Sequence, residues 1–406
     1  MSGRLLAPFA GLRAAREHAD AVAAPPYDVL SAAEARAAVH GRPWSFLHVS
    51  RPEIDLAPGT PPGAQALYDS AAATFARMIA DGLLIRDQTP RFYAWRMEAG
   101  GLAQTGLAGA ASLAAYERGA IKRHESTRPD KEADRARHIA ALGAHTGPIL
   151  AIHRPDAEVR RLIAAACEPP PLSRCVLDGA VTHTLWPIDG TGEIEALAAR
   201  FNAIGALYIA DGHHRAAAGR TACRAAGGPD PRLLTVNFPV DEVRILGYHR
   251  IVRGLNGLTP AVFLQAVGTA LRCEPADAPV EPARPATFGM YVDGRWYSLA
   301  ADERERNTAS VVDRLDVSIL ARLVLGPVLG VGDPRLDARI DFVGGGRGAA
   351  ALAAAVDGGE ASVAFSLHPT SVDDLMAVAD AGAILPPKTT WFEPKLADGL
   401  LSLVLS

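Results

Sequence analysis

The stretch LYIADGHHRAAAGRTA (207–222) decides the fold of this chain. A short apolar run predicts a strand, Asp211-Gly212 predicts a turn, and the alanine-rich run from His213 predicts a helix. The first N–H groups of a helix lack intrahelical acceptors and carry the positive end of the helix dipole. A strand, a glycine turn and a helix N-terminus in this order therefore predict a binding site for an anion such as phosphate.

The side chains of this turn extend the same prediction. Asp211 is expected either to hold a Mg²⁺ ion or to orient a histidine, and Gly212 allows a close approach of the backbone. Adjacent histidines point apart on a helix, so we do not expect a two-histidine metal site. The alternative is an Asp-Gly turn before a solvated helix, and the stretch lacks the P-loop pattern. The residues predicted to bind phosphate are Gly212, His213, His214 and Arg215.

A second polar segment, IKRHESTRPDKEADRARH (121–138), supplies candidate catalytic groups. Glu125, preceded by His124, is a candidate general base because a carboxylate near a bound phosphate can take a proton from a hydroxyl. Lys131 and Arg135 are four residues apart, share one helix face and could reach one anion. The alternative is a solvated, charged helix. The candidate substrate-binding residues in this segment are Thr127 and Arg128.

The lysines of this sequence are rare and clustered. Only four of the 41 basic residues are lysine, and they occur in the segment above and in the tail PPKTTWFEPKLADG (386–399). Lysine is a compact, movable point charge that arginine does not replace. We therefore predict that the tail folds back towards Asp211 and brings Lys388 or Lys395 to the pocket of Lys131; the alternative is a structural clamp. The tail residues predicted to bind substrate are Lys388, Thr389, Thr390 and Lys395.

Composition excludes several classes of protein. The chain has 406 residues, of which 49% are hydrophobic, and a formal charge of −4, which argues against a disordered chain and against a protein that coats nucleic acid or acidic lipid. Gly, Pro or Arg interrupts every long apolar stretch, so we expect no membrane span. Four cysteines without a CxxC pair favour a reducing cytoplasm. The sequence leaves an oligomer open.

Strand-like and helix-like runs alternate and predict an α+β (mixed α/β) fold. We expect three regions: an N-terminal α/β region (1–115), a core that contains HEST and DGHHR (116–255) and a C-terminal α/β region with KTTWFEPK (256–406). Local signals accompany them: a capping box at Ser31 and Glu34, a hairpin turn at Asp293-Gly294, a helix cap at Asp316, and strand positions for His183 and His249.

Seven segments support a resemblance to a known family. In chain order they are APPYDVLS, HVSRPEIDL, IKRHESTRPDKEADR, HTLWPI, YIADGHHRAAA, DVSILARLVLGPVLGV and PPKTTWFEPKLADGL. From about residue 7 to the end, the sequence resembles the prokaryotic family catalogued as domain of unknown function 1015.

A more remote resemblance concerns the upstream carboxylate and the strand–DGHHR–helix. This arrangement is similar to the ParB and sulfiredoxin-like superfamily, which includes kinases that phosphorylate free serine. The resemblance implies a nucleotide-binding core of that type, with Glu125 as the base. It also implies that phosphate and metal are held by Asp211, His213, His214 and Arg215.

Three functions are then compatible with the sequence. The leading hypothesis is a kinase that uses ATP or ADP and Mg²⁺ to phosphorylate a small hydroxyl metabolite, with free serine or a serine-like compound as the first guess. The second is a metal-dependent hydrolase or phosphatase; its metal ligands would be His124, Glu125, His183, Asp211 and His213. The third is a nucleotide-binding regulator without turnover.

Overall fold

The chain forms two compact units. The structure, a computed structural model, describes residues 3–177 and 180–405. The first unit runs to Val243 and takes in the C-terminal residues from Pro394, and the second unit is Arg244–Glu393. This division has no boundary near residue 115, and it assigns the residues from Pro394 onwards to the first unit. The three regions expected from the sequence stay a prediction.

The elements alternate along the whole chain. The strands are β1 (Leu6–Ala7), β2 (Leu12–Ala14), β3 (Leu84–Arg86), β4 (Phe92–Ala99), β5 (Leu102–Ser112), β6 (Ile121–Lys122), β7 (Ala144–His145), β8 (Ile149–His153), β9 (Ser173–Leu177), β10 (Val181–Ile188), β11 (Leu207–Asp211), β12 (Arg232–Pro239), β13 (Ile245–Leu246), β14 (Tyr248–Val252), β15 (Arg272–Ala276), β16 (Thr287–Val292), β17 (Arg295–Ala300), β18 (Ile340–Gly344), β19 (Val363–Leu367), β20 (Trp391–Phe392) and β21 (Leu401–Val404). The α-helices are α1 (Ala19–Val22), α2 (Ala32–Ala38), α3 (Leu47–Ser50), α4 (Gln65–Ala80), α5 (Leu113–Glu117), α6 (Pro129–Leu142), α7 (Ala157–Ala166), α8 (Thr191–Ile204), α9 (His213–Ala226), α10 (Pro260–Ala270), α11 (Asp316–Leu320), α12 (Gly348–Asp357) and α13 (Val372–Asp380). The mixed α/β class predicted from the sequence is confirmed.

A mixed sheet forms the centre of the first unit. Its strand order is β6-β11-β8-β12-β5-β4-β10-β9, and β1 pairs with β5 outside this path. Two neighbouring pairs are parallel, β6 with β11 and β8 with β12, while β11 and β8 are antiparallel. The carboxyl end of β11 therefore lies at the opposite edge from the carboxyl ends of β8 and β12.

Helices cover this sheet and bury its apolar side chains. One core cluster joins β-strand residues such as Ile149 and Ile209 to Leu162 of α7, Leu197 of α8 and Ala216 of α9. Helices α6 and α9 contact each other, and residues of α6 and α9 form a smaller buried cluster. Helix α9, which carries the DGHHR turn, is thus packed between the sheet and α6.

A smaller sheet ties the C-terminus to the first unit. Its order is β3-β2-β21-β7, so the last strand lies between elements from the start and the middle of the chain. An isolated bridge between Ala24 and Asp398 adds another link. These pairings fix the position of residues 394–404 within the first unit.

The second unit is built on an antiparallel sheet with the order β15-β17-β16-β19-β14-β18. Strands β16 and β17 form the predicted hairpin, in which Asp293 and Gly294 both have positive φ, as a tight hairpin turn requires. Buried clusters include Phe263 and Phe365 in one group and Tyr291 and Leu352 in another.

Of two helix starts predicted from local sequence, the structure confirms the one at Ser31 and contradicts the one at Asp316. The predicted capping box is present, since Ser31 Oγ accepts from the Glu34 N–H and Glu34 Oε2 accepts from the Ser31 N–H. The prediction for Asp316 is wrong: this residue is the first of α11, and its carboxylate accepts the Ala286 N–H, 30 residues away in sequence. No helix in the described ranges is long and apolar enough to cross a membrane.

We predict that Gly219→Ala in α9 destabilises the protein by roughly 1–3 kcal/mol through overpacking. Alanine normally favours a helix, but here its Cβ would lie 2.6 Å from Leu233 Cδ2 and 2.8 Å from His145 Nε2, both in buried side chains. Gly192→Ala in α8, where no atom lies within 4 Å, is the matched control and should not destabilise. Urea unfolding measures both; equal stabilities would contradict the packing argument.

Candidate functional site

A parallel strand pair brings the two polar segments together. Leu207 of β11 pairs with Ile121 of β6, and Tyr208 pairs with Lys122. Because the carboxyl ends of parallel strands lie at the same edge of a sheet, the residues after β6 meet those after β11. His124 and Glu125 are consequently neighbours of Asp211 and His213, although almost 90 residues separate them in sequence.

The turn between β11 and α9 has the conformation that its glycine allows. Gly212 has φ of +96° and is the N-cap of α9, with no side-chain cap on the first turn of the helix. A Cβ at this position would lie 2.9 Å from Arg215 Nε. The turn therefore requires glycine, and the first N–H groups of a 14-residue helix are left without a side-chain cap, as expected for an anion site.

Asp211 lies between two cations. Arg215 Nη2 is 2.7 Å from Asp211 Oδ2, and Lys395 Nζ is 3.6 Å from Asp211 Oδ1. Burial alone would raise the pKa of Asp211, but Lys395 and Arg215 outweigh burial and hold that pKa well below its usual range. Asp211 is thus ionised. The tail folds back so that Lys395 contacts Asp211, as predicted.

A chain of side chains connects Glu125 to the helix start. Glu125 Oε2 is 3.5 Å from His213 Nδ1, and the His124 N–H points to His213 Nε2 at 3.5 Å. Burial, reinforced by neighbouring His124, lowers the pKa of His213, so the ring is neutral. Since Nε2 accepts, Nδ1 carries the proton and donates towards the Glu125 carboxylate. Glu125 itself is 40% exposed and accessible to a ligand.

His124 is packed against this pair. Its ring centroid lies 4.4 Å from that of His213 in an edge-to-face arrangement, and the side chain is almost fully buried. Burial lowers the pKa of His124 to about 4. Neither ring nitrogen has a hydrogen-bond partner among the residues that the structure describes. The catalytic role predicted for His124 stays a prediction, and its position supports the His213 ring.

Arg215 is held inside the protein. Its Nη1 donates to the Pro148 carbonyl and its Nη2 to Asp211, and only 5% of the residue is exposed. Burial would lower the pKa of Arg215, but Asp211 and other neighbouring anions raise it. Through these contacts Arg215 orients Asp211. Direct contact of Arg215 with phosphate stays a prediction.

Asp398 is a residue that the sequence analysis missed. It is 2% exposed, its Oδ1 has no hydrogen-bond partner in the described part of the chain, and Arg215 acts on it electrostatically. A Cβ at Gly147 would lie 3.0 Å from Arg215 Cδ and 3.6 Å from Asp398 Oδ1. The available signal was the tail segment quoted for the family resemblance, which contains Asp398 without marking its role.

Tyr27 is a second residue near the site that was not predicted from the sequence. Arg135 lies over its ring, with the guanidinium carbon 4.6 Å from the centroid, and Arg135 Nη1 donates to the Ser50 carbonyl. Burial raises the pKa of Tyr27 to about 12. Arg135 is therefore engaged by the N-terminal segment APPYDVLS rather than directed with Lys131, which is exposed, towards a shared anion.

The other predicted substrate residues are dispersed. Thr127 Oγ1 lies 3.4 Å from Glu132 Oε2, and Arg128 pairs with the adjacent surface residue Asp130. His214 follows His213 in the first turn of α9 and is half-buried. Three tail residues belong to the second unit: Lys388 lies over the Tyr248 ring at 5.6 Å, Thr389 Oγ1 donates to the Pro386 carbonyl, and Thr390 is half-buried.

The ligand set of the hydrolase hypothesis is wrong. His183 is on β10, where its Nδ1 accepts from Trp95 Nε1, and its burial agrees with the predicted strand role. Five strand spacings separate β10 from β11, about 24 Å at 4.8 Å per strand. His183 and Asp211 cannot share a metal ion.

Mg²⁺ does not fit Asp211 in the observed arrangement. Within residues 3–177 and 180–405, no group of three His, Cys, Asp or Glu side chains is placed to hold a metal ion. Both Asp211 oxygens already face cations. Mg²⁺ commonly takes most of its ligands from water and substrate phosphates, so we assign it no direct protein ligand.

We predict that Asp398 makes stability depend on pH. Burial raises the pKa of Asp398 to about 7, against about 3.9 for an unfolded aspartate. The folded state then keeps a proton that the unfolded chain releases, so this contribution is complete below pH 4 and is lost as pH rises through 7. Buried histidines such as His124 and His213, whose pKa values are lowered, act in the opposite direction over part of this window. The Asp398 contribution, taken as the difference in free energy of unfolding between the wild type and Asp398→Asn, should fall with pH by at most about 1.4 kcal/mol per unit.

Between pH 5 and 7 the stability of the wild type relative to Asp398→Asn should therefore fall, whereas its stability relative to the exposed control Asp81→Asn should stay constant. Urea unfolding at pH 5, 6, 7 and 8 measures the three proteins. A pH-independent difference between the wild type and Asp398→Asn would show that Asp398 is ionised throughout.

Solved structures with low sequence identity are similar to this chain. SbnI with C-terminal truncation from Staphylococcus aureus has a TM-score of 0.38 and 12% identity, covering 73% of this chain and 87% of that chain. A free serine kinase in complex with AMP has a TM-score of 0.33 and 14% identity, covering 70% and 86%. A conserved hypothetical protein from Pyrococcus furiosus has a TM-score of 0.34 and 14% identity, covering 71% and 92%. Similarity of this degree does not transfer an activity.

Comparison with family models gives the decisive match. No curated protein matches the sequence. The model described as "Protein of unknown function (DUF1015)" matches residues 6–318, which is most of the chain and includes the HEST and DGHHR segments. The chain belongs to the DUF1015 family.

Proposed function

We propose that this protein is a nucleotide-dependent kinase that phosphorylates a small hydroxyl metabolite. The observation that carries the proposal is the convergence of an exposed carboxylate, Glu125, with the uncapped helix start at Gly212 and the ammonium of Lys395. Phosphoryl transfer needs positioning and charge neutralisation more than covalent help from the protein. A base, a phosphate cradle and a movable cation are the parts that such a site requires.

The Gly212 turn binds the terminal phosphates of the nucleotide in this proposal. The first N–H groups of α9, which have no intrahelical acceptors, donate to phosphate oxygens, and the helix dipole favours the charge of the phosphate. Lys395 Nζ lies 3.6 Å from Asp211 Oδ1. An ammonium group has three N–H donors, so Lys395 can contact a phosphate as well as Asp211. ATP and ADP are both compatible donors, and Mg²⁺ would accompany the phosphates. Binding through a ParB/sulfiredoxin-like core stays a prediction.

Glu125 acts as the general base. The acceptor hydroxyl oxygen attacks the terminal phosphorus, the bond from that phosphorus to the nucleotide oxygen breaks, and Glu125 takes the hydroxyl proton. The neutral His213 N–H directed at Oε2 orients the carboxylate. Free serine or a serine-like compound is the first candidate acceptor, from the resemblance described in the sequence.

A cytoplasmic location also stays a prediction.

The test of nucleotide binding compares two glycines at the ends of α9. Gly212 is the N-cap and Gly227 the C-cap, and both have positive φ, so alanine at either position costs about 1 kcal/mol of strain. We expect Gly212→Ala to lose binding of ATP and ADP and Gly227→Ala to keep it, because a Cβ at Gly227 meets no atom within 4 Å.

Thermal shift with Mg²⁺ and each nucleotide gives the measurement. A nucleotide at 100 times its Kd should stabilise the wild-type protein by about 2.7 kcal/mol. The proposal fails if neither nucleotide stabilises the wild type, or if both alanine variants bind equally well.

The test of the base is Glu125→Gln. We expect turnover to fall by roughly 10²–10⁴-fold, the usual contribution of a general base, with the Kd for nucleotide nearly unchanged. Glu195→Gln on the exposed face of α8 is the control and should keep full activity. Transfer of ³²P from labelled nucleotide to a panel of hydroxyl amino acids and small alcohols measures turnover.

Two results distinguish the alternatives. Full activity in Glu125→Gln would show that another group takes the proton. Nucleotide binding without transfer to any acceptor would favour the regulator hypothesis, which the same geometry of the turn also accommodates.

A further inference from the structure

A cavity lies in the first unit, away from the Gly212 turn. Its volume is about 180 Å³, and it opens where β8 and β12 end, next to the start of α7. His153 and Pro239, the last residues of these parallel strands, are register partners. Asp211 instead pairs with Leu150, three residues before His153, so the two sites are about 10 Å apart along β8 at 3.3 Å per residue.

Opposite charges flank one residue of this cavity. Arg96 Nε donates to Thr105 Oγ1 at 3.1 Å, and Glu242 Oε2 accepts from the Thr105 N–H at 2.9 Å. The Arg96 guanidinium also lies over the Trp186 ring, with its carbon 5.1 Å from the centroid. In the part of the chain that the structure describes, neither Arg96 nor Glu242 forms an ion pair. A cation and an anion thus stand close together without neutralising each other.

The other charged groups of the lining are already engaged. Asp156 caps α7 and pairs with Arg200, and Arg160 pairs with Asp241 at 2.7 Å. Arg96 and Glu242 are the charged groups of the lining that form no ion pair among the described residues, and Arg160 also acts electrostatically on Glu242.

His153 adds a buried acceptor. Its Nδ1 lies 2.8 Å from the Arg154 carbonyl and therefore carries the ring proton. The residue is 1% exposed, and burial lowers its pKa, so the ring is neutral and Nε2 is an acceptor. Nε2 has no partner among the described residues. A buried acceptor without a donor is unfavourable and points to a donor that a ligand supplies.

The rest of the wall is apolar. It is formed by Val159, Ile163, Ala164 and Pro239. An engineered cavity of about 150 Å³ binds one benzene molecule, so this cavity of about 180 Å³ accommodates a ligand of roughly seven non-hydrogen atoms. Small-molecule sites commonly combine such an apolar lining with a few fixed polar groups.

We propose that this cavity binds a free aliphatic α-amino acid. The α-carboxylate accepts from Arg96, the α-ammonium donates to Glu242 and to His153 Nε2, and the side chain contacts Ile163 and Pro239. A zwitterion matches two opposite unpaired charges that flank one residue, whereas a simple anion would meet Glu242 and a simple cation would meet Arg96. The site is separate from the proposed transfer chemistry, so its test stands whether or not the kinase proposal holds.

Calorimetric titration of the full-length protein with L-valine gives the first test. We expect saturable binding of L-valine that is at least tenfold tighter than binding of isovalerate, which lacks the ammonium, or isobutylamine, which lacks the carboxylate. L-Serine should also bind at least tenfold more weakly, because its hydroxymethyl group leaves the apolar wall unfilled. No saturable binding of L-valine, or equal affinity for isovalerate, isobutylamine or L-serine, would overturn the proposal.

Two charge variants give a crossed test that is independent of the panel. Arg96→Gln should weaken L-valine and isovalerate by tenfold or more and leave isobutylamine unchanged. Glu242→Gln should weaken L-valine and isobutylamine and leave isovalerate unchanged. Arg161→Gln, on the exposed side of α7, is the control and should bind all three as the wild type does. If both charge variants keep the wild-type affinity for L-valine, the assignment of Arg96 and Glu242 is wrong.

Discussion

The buried guanidinium of Arg215 is the constraint on which the candidate site depends. A cation removed from water costs several kcal/mol unless its charge and its hydrogen bonds are compensated. Nη1 and Nη2 of Arg215 donate to the Pro148 carbonyl and to Asp211, and Asp398 acts on its charge, while Nε has no partner among the described residues. These partners precede β8, end β11 and lie in the C-terminal segment. All three parts of the chain must therefore be in place before Arg215 can be buried.

The same arrangement sets the charge at the Gly212 turn. Asp211 faces both Arg215 and Lys395, while Asp28 and Asp398 also act electrostatically on Arg215. The positive end of the dipole of α9 favours phosphate at Gly212. At the other end of β8, Arg96 and Glu242 present opposite charges instead. One sheet thus offers sites of different charge at its two edges.

Local patterns were predictable where neighbouring residues decide the structure. The capping box at Ser31 depends on contacts within one helical turn, and the hairpin turn at Asp293 depends on two residues with positive φ. The prediction that Asp316 caps a helix is wrong because its carboxylate accepts the N–H of Ala286, a residue distant in sequence that no local pattern indicates. The burial of Arg215 could not be predicted, because it depends on Pro148 and Asp398, residues remote in sequence.

The sequence by itself determined the strand–glycine–helix at 207–222, the positive φ that Gly212 must adopt, and the selection of lysines in a chain dominated by arginine. Periodicity, glycine conformation and residue choice are local properties. Only the tertiary structure decided that Glu125 meets His213, that Lys395 reaches Asp211 and that Arg96 and Glu242 share a cavity. Those contacts depend on strand order and direction, which result from packing the whole sheet and leave no trace in any short segment.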